Sequence, residues 1–252
     1  MKKILVPTLI AAAIGSLASV AHAAEPESTL AFNAGVVSDY RYRGISQSRL
    51  EPALQGGVDY TDKSGFYVGA WGSSIKWIKD AGASQGSVEL DLYGGYKGAV
   101  GDVAYDVGFL RYEYVGNKLA GVGSGPYVNA NTNEVYGAVT YGLFTAKYSH
   151  AISDLFGNPD SKNSYYVDLS ATFDLGDGYT VVPHVGYQKI KGALNVDGSY
   201  TDYSLTLAKD LGNGLSATAA AVGTDASKAF YFTPAGKFTG KSSVVVGLKY
   251  SF

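Results

Sequence analysis

The final ten positions, Ser243-Val-Val-Val-Gly-Leu-Lys-Tyr-Ser-Phe252, alternate in character. Val244, Val246, Leu248, Tyr250 and Phe252 share one parity; Ser243, Gly247, Lys249 and Ser251 share the other, with only Val245 out of pattern. A period of two predicts a β-strand with one apolar and one polar face. The same rhythm recurs upstream. Leu30, Phe32, Ala34, Val36, Tyr40 and Tyr42 oppose Asn33, Gly35, Asp39, Arg41 and Arg43. Val88, Leu90, Leu92 and Tyr96 oppose Glu89, Asp91, Tyr93 and Lys97, and Tyr165, Val167, Leu169, Ala171 and Phe173 oppose Tyr166, Asp168, Ser170 and Thr172. Similar segments begin near Leu54, Phe66, Val103, Val135, Phe144, Val181, Tyr203 and Leu215, which makes about twelve predicted strands.

The connections alternate in length. Thr61–Ser64, Gly98–Asp102, Gly142-Leu143, Asp174–Gly178 and Asp210–Gly214 are short, whereas Gly44–Pro52, Ser74–Gly86, Val115–Thr132, Ala151–Asn163, Ile190–Asp202 and Gly223–Ser242 are long. Short turns on one side and long loops on the other are the asymmetry of an outer-membrane barrel, with the turns in the periplasm and the loops outside. The expected fold is therefore all-β, a transmembrane antiparallel up-and-down β-barrel. A soluble sandwich would not require this alternation. Two positions strain the pattern. Pro183 removes a ladder donor and predicts a bulge or a local edge break. Arg111 would face lipid if its strand ran straight, so it is expected above the membrane or past a bulge.

The N-terminus changes the domain picture. Met1-Lys-Lys3, an apolar stretch over Ile4–Val20 and Ala21-His22-Ala23 have the layout of a secretory signal peptide cut before Ala24. The expected organisation is a signal peptide over 1–23 and a barrel over 24–252, exported and inserted into a Gram-negative outer membrane. Cleavage removes Lys2 and Lys3 and no acid, so the formal charge moves from −2 to −4. That mild value and the lack of any basic run argue against nucleic acid. No apolar run after Ala24 is long enough for a spanning helix, which leaves a closed barrel as the only way to satisfy the backbone in lipid. The chain has no cysteine, so disulfides and cysteine-type zinc sites are excluded. Glycine (33) and tyrosine (21) are abundant, the first suited to bent strands and the second to the membrane interface.

The segment Val37-Ser-Asp-Tyr-Arg-Tyr-Arg-Gly-Ile-Ser-Gln-Ser48 resembles a signature of the TorF-family porins of Proteobacteria. Pro52-Ala-Leu-Gln-Gly-Gly-Val-Asp-Tyr60, Ser64-Gly-Phe-Tyr-Val-Gly-Ala-Trp71 and Glu89-Leu-Asp-Leu-Tyr-Gly-Gly-Tyr96 add to the resemblance. These motifs cover the first four strands; beyond Tyr114 only the strand rhythm matches. The resemblance implies an outer-membrane barrel and says little about its solute.

The candidate chemistry is a set of lumen charges. Asp39, Arg41 and Arg43 share the lumen parity of the first strand, near its outer mouth, and Glu89, Asp91, Asp106, Lys147 and Asp168 project from other strands. Facing rows of opposite charge could sort solutes, or could pair and fill a narrow barrel; the sequence leaves both open. Tyr250 and Phe252 are the candidate assembly signal, read by the barrel-assembly machinery. His150, close to Ser149 and Ser153, is the one enzyme-like neighbourhood, with no specific spacing, and His184 reads as a lumen residue. Trp71, Trp77 and Phe230-Tyr-Phe232 could line a sugar slide or pack as belt and loop residues. Gly121–Gly125 reads as an outer loop, since no helix follows it. The expected function is a diffusion channel for small polar solutes, in contact with outer-membrane lipid and lipopolysaccharide and without a cofactor. A non-conducting structural or surface-interaction barrel is the alternative and an outer-membrane enzyme the third reading. The oligomeric state stays open.

Overall fold

The structure, a computed structural model, describes residues 28–122, 127–193, 195–234 and 236–252. The signal peptide expected over 1–23 lies outside the described residues.

The strands are β1 (Thr29–Val37), β2 (Arg41–Tyr42), β3 (Ile45–Ser46), β4 (Ala53–Thr61), β5 (Phe66–Ser74), β6 (Val88–Val100), β7 (Val103–Tyr114), β8 (Thr132–Tyr141), β9 (Phe144–Ala151), β10 (Tyr165–Ala171), β11 (Phe173–Gly176), β12 (Tyr179–Lys189), β13 (Tyr200–Gly212), β14 (Leu215–Thr224) and β15 (Ser243–Ser251). Two one-turn helices, α1 (Trp77–Asp80) and α2 (Asn195–Gly198), sit in long loops. Every neighbouring pair in the main sheet is antiparallel. β1 pairs with both β4 and β15, and β10 with both β9 and β12, so the sheet closes on itself. β10 and β11 are two halves of one crossing, which makes the wall a barrel of twelve crossings. Closure pairs every crossing of the main sheet on both sides and leaves it no edge.

The outward face carries the apolar parity foreseen from the sequence. Leu30, Phe32, Val107, Val139, Leu169, Leu205, Val246 and Leu248 are all exposed. Aromatics gather at two levels. Phe66, Tyr96 and Tyr105 pack in a row near the short turns, and Tyr148, Tyr165 and Tyr187 in another near the long loops. On the β10–β11 crossing, Tyr165 and Phe173 lie eight residues apart. With a strand tilt of about 40° that is roughly 20 Å of height, close to an apolar band between two aromatic girdles. This surface belongs in hydrocarbon. β15 closes the barrel through Phe252, whose N–H and C=O bond Phe32 at 3.0 and 2.8 Å while the two rings stack at 5.8 Å.

One detail differs from the sequence reading, and two others decide between its alternatives. The first strand does not continue to Arg43: β1 ends at Val37, and the chain then turns inward, because the side chains from Tyr40 to Arg43 find their partners inside the barrel (below). β7 runs straight through Arg111 to Tyr114 without a register shift. No bulge intervenes, so Arg111 faces outward, two residues beyond Phe109, where it hydrogen-bonds Glu113 and Asn133. Pro183 causes no bulge. β12 pairs with β13 in unbroken register through Pro183↔Leu205, and the missing donor shows on the other side, where the partner crossing is interrupted at Thr172. The one irregularity of that pairing lies lower, between Asp174 and Gly176.

Short turns use the expected chemistry. Asp177-Gly178 and Asn213-Gly214 each place two successive residues at positive φ (50° and 75°, 51° and 80°), as the tightest hairpins of right-handed twist require.

Candidate functional site

The lumen divides into two levels, and the segment after β1 makes the division. Tyr42-Arg43-Gly44-Ile45 is a two-residue hairpin in which Arg43 and Gly44 have φ of 47° and 78°, with β2 pairing β3. Positive φ at both central positions defines the type I′ turn; Gly takes it freely, whereas a side chain such as Arg takes it at a cost of about 1 kcal/mol. A Cβ on Gly44 would also lie 2.6 Å from Asp202 Cβ and from Thr224 Cγ2, so the hairpin tip rests directly on β13 and β14.

Four anchors fix this hairpin across the barrel. At its base, Asp39 Oδ2 accepts from Arg41 Nε at 2.5 Å, and Asp39 Oδ1 accepts from Ser46 and Ser48 at 2.5 and 3.2 Å. Arg41 also donates to the carbonyls of Gly44 and Thr239 and to Ser243 Oγ, at 2.8, 2.9 and 2.8 Å. Tyr40 donates to Glu89 Oε1 at 3.0 Å and meets Trp71 edge-on. At the tip, Arg43 donates to both oxygens of Glu134 at 3.1 and 2.7 Å and to Gln188 Oε1 at 2.6 Å, and lies over the rings of Tyr42 and Tyr166. Tyr42 bonds Tyr112, which donates to Glu134 at 3.0 Å. On the loop side, Arg49 Nε reaches Asp80 Oδ2 at 2.8 Å. There too Lys76 hydrogen-bonds Glu51 and holds its carboxyl below the usual carboxylate range, so the contact is present at neutral pH and weakens as the pH falls through that lowered value.

The anchors place the sequence candidates. Asp39 and Arg41, both buried, staple the hairpin base to the β14–β15 loop rather than line an open passage. Arg43 sits at the far wall. Glu89 and Asp91 face inward from β6 in the sealed layer, with Glu89 Oε2 and Asp91 Oδ1 free of hydrogen bonds among the described residues. Val37, Ala53, Ser73, Glu89, Tyr112, Glu134, Ser149, Tyr166, Gln188, Tyr200, Ala220 and Val245 are all buried at or near this level, one on each crossing. Val245, the outlier of the terminal strand, is thereby explained: it faces the packed interior. Trp77 stacks edge-on with Tyr114 and Tyr231 with Tyr200, so these loop aromatics are packing residues. His150 faces outward and bonds Tyr148 and Asn163, while Ser153 accepts from the Asn133 amide.

Toward the short turns the lumen residues are half-exposed and polar. Asp106 accepts from Tyr67 at 2.6 Å, and Tyr136 bonds the same Tyr67 hydroxyl. Tyr93 donates to Asp59 at 2.5 Å. Asp168 lies 2.9 Å from His184 Nε2; above it, at the buried level, Tyr166 donates to Asp202 at 2.9 Å. Lys147 sits 4.0 Å over the Tyr136 ring and Lys97 5.5 Å over that of Tyr67. These rings lie flat against the wall because a neighbouring strand offers glycine beneath them. A Cβ would come within 2.6 Å of the Tyr67 hydroxyl at Gly95, 2.4 Å of the Tyr93 ring at Gly69, 2.5 Å of the Tyr136 hydroxyl at Gly108 and 2.0 Å of the Tyr166 hydroxyl at Gly186. Aromatic side chains covering cross-strand glycines are a known device of curved sheets. The abundance of Tyr and Gly was visible in the sequence; their pairing was not, since partners lie on different strands.

The chain belongs to the family described as a bacterial protein of unknown function (Gcw_chp), whose model matches residues 21–252. No curated protein matches it by sequence. Among solved structures it is similar to the KdgM porin (TM-score 0.52, 9% identity, covering 89% of this chain and 99% of that one). It is also similar to the NanC porin (TM-score 0.54, 9% identity, 88% of this chain and 99% of that one). A further KdgM structure with the same scores is a complex with disordered oligogalacturonate. At these identities the likeness is one of fold: a closed antiparallel barrel of the outer-membrane porin type.

Proposed function

We propose that the protein is an outer-membrane channel for passive diffusion of small polar solutes, with its hairpin seated in the long-loop mouth. The observation that carries the reading is the short-turn half of the lumen, where Asp59, Lys97, Asp106, Lys147, Asp168 and Lys249 line a polar interior without being buried. A barrel that serves only as scaffold gains nothing from half-solvated charges at its centre. The porin-like fold supports the same reading, as does the TorF-family resemblance, carried by Ser38–Gln47, the hairpin itself. In this reading the long loops face outward among lipopolysaccharide, the turns face the periplasm, residues 1–23 are a cleaved export signal, and the terminal Tyr250 and Phe252 guide assembly.

The sealed layer around the hairpin favours a second reading, a non-conducting barrel whose loops engage surface partners. Single-channel recording in planar bilayers separates the two. Conductance from the wild type, or from Arg43→Ala with its hairpin unlatched, is the expected result. Silence from both, in refolded and inserted protein, establishes the second reading.

A further inference from the structure

One line of cross-strand partners links the open half of the lumen to the hairpin. Lys97 pairs with Asp106, Asp106 with Ala138, Ala138 with Lys147, Lys147 with Asp168, Asp168 with Gly186, Gly186 with Asp202 and Asp202 with Thr224. All of these face the lumen. Because strands tilt and register lines run across them, the line climbs from the short-turn end of β6 to the long-loop end of β14. There Asp202 and Thr224 meet Gly44 of the hairpin. From Lys97 to Asp168 its charges alternate, Lys97 positive, Asp106 negative, Lys147 positive, Asp168 negative; Asp202 adds a second acid at the hairpin end, and His184 lies beside both Asp168 and Asp202.

Adjacent strands lie about 4.8 Å apart, so Lys97–Asp106 and Lys147–Asp168 stand directly opposite one another. Yet neither lysine closes an ion pair among the described residues. The tyrosines keep the signs apart. Lys97 and Lys147 are drawn over the faces of Tyr67 and Tyr136, and Asp106 is occupied by the Tyr67 hydroxyl. Each charge is held at the wall with bonding capacity to spare; buried Ala138 separates Asp106 from Lys147, and Gly186, under the Tyr166 ring, separates Asp168 from Asp202.

We propose that this row is a selectivity track for zwitterionic solutes, small molecules carrying one ammonium and one carboxylate; the proposal rests on the channel reading above. An ammonium finds Asp106 or Asp168 while the carboxylate finds Lys97 or Lys147, and both can step along the row. Binding at several weak sites is what permits passage rather than capture. A polyanion would meet an acid beside each lysine.

The test uses three solutes of nearly equal size, alanine (zwitterion), lactamide (neutral) and lactate (anion). Efflux is followed from vesicles holding the refolded full barrel at about 0.01 M salt, where the Debye length is about 30 Å. Wild type and Arg43→Ala are both used, with potassium current as an independent sign of an open channel. Alanine is expected to leave several-fold faster than lactamide, and lactamide faster than lactate. Lys97→Gln/Lys147→Gln and Asp106→Asn/Asp168→Asn should each abolish the advantage of alanine over lactamide, and only the second should speed lactate. Equal efflux of alanine and lactamide through a current-carrying barrel overturns the track and leaves the channel reading intact. An alanine advantage that survives both double substitutions overturns it as well. Absence of current and of efflux in both backgrounds overturns the channel reading and the track together.

Discussion

The Arg43 guanidinium meets the Glu134 carboxylate at 2.7 Å although the two residues belong to opposite sides of the barrel. Arg43 leaves the wall after β1; counted around the barrel, β8 lies five crossings from β1 in one direction, and β12, which bears the second anchor Gln188, four in the other. Both side chains of the pair are almost fully buried. Removing one member of such a pair costs on the order of 3–5 kcal/mol, because the other is left charged and unpaired. Arg43→Ala should therefore destabilise the seated hairpin, raise conductance and make 38–52 sensitive to protease. Adding Glu134→Gln should recover much of the lost stability in urea unfolding while the conductance stays high. A closed, protease-resistant Arg43→Ala barrel would show that the hairpin is held elsewhere.

The girdles set the depth of each substitution. Leu169 lies on the outward face midway between the girdle residues Tyr165 and Phe173, at mid-height. Leu169→Arg should cost about 2–4 kcal/mol in a vesicle unfolding assay, and Asp168→Asn, one residue away but facing the lumen, less. Ile152 is exposed past the end of β9, four residues beyond the girdle residue Tyr148, so Ile152→Arg should cost about 0–1 kcal/mol. Equal losses at Leu169 and Ile152 would put the membrane at another level.

Glycine beneath tyrosine predicts an effect from a single methyl group. Gly186→Ala puts a Cβ where the Tyr166 hydroxyl now lies. The ring must leave the wall, which breaks its bond to Asp202 and its contact with Arg43. Overpacking of this kind costs about 1–3 kcal/mol, and Tyr166→Phe in the same chain should restore part of it. Additive losses in the double variant would deny the pairing.

Closure at the last residue is tested by Phe252→Ala. It removes the stack on Phe32 and on Tyr250, worth about 0.5–1.5 kcal/mol per ring pair beyond area. Refolding yield into vesicles and the thermal midpoint should both fall. Unchanged insertion would remove the assembly role proposed for this end. Mass spectrometry of outer-membrane fractions should find an N-terminus at Ala24; an intact Met1 would refute the export signal.

Alternation alone determined the barrel. Residues on one strand obey a period of two whatever surrounds them, so lipid and lumen faces, the twelve crossings, the turns and even the inward Glu89, Asp91, Asp106, Lys147 and Asp168 could be read along the chain. What alternation could not give is where a strand stops. Asp39, Arg41 and Arg43 keep perfect parity past Val37, but Arg41 finds Ser243 and Arg43 finds Glu134 and Gln188, 91 or more positions away in sequence. Only when the sheet closes do those groups line one lumen, and only then is it more favourable for the segment to fold inward and bury its charges in pairs than to continue the strand. The alternating row from Lys97 to Asp168 has the same origin: it runs across strands, in a direction that exists only once the register between them is fixed.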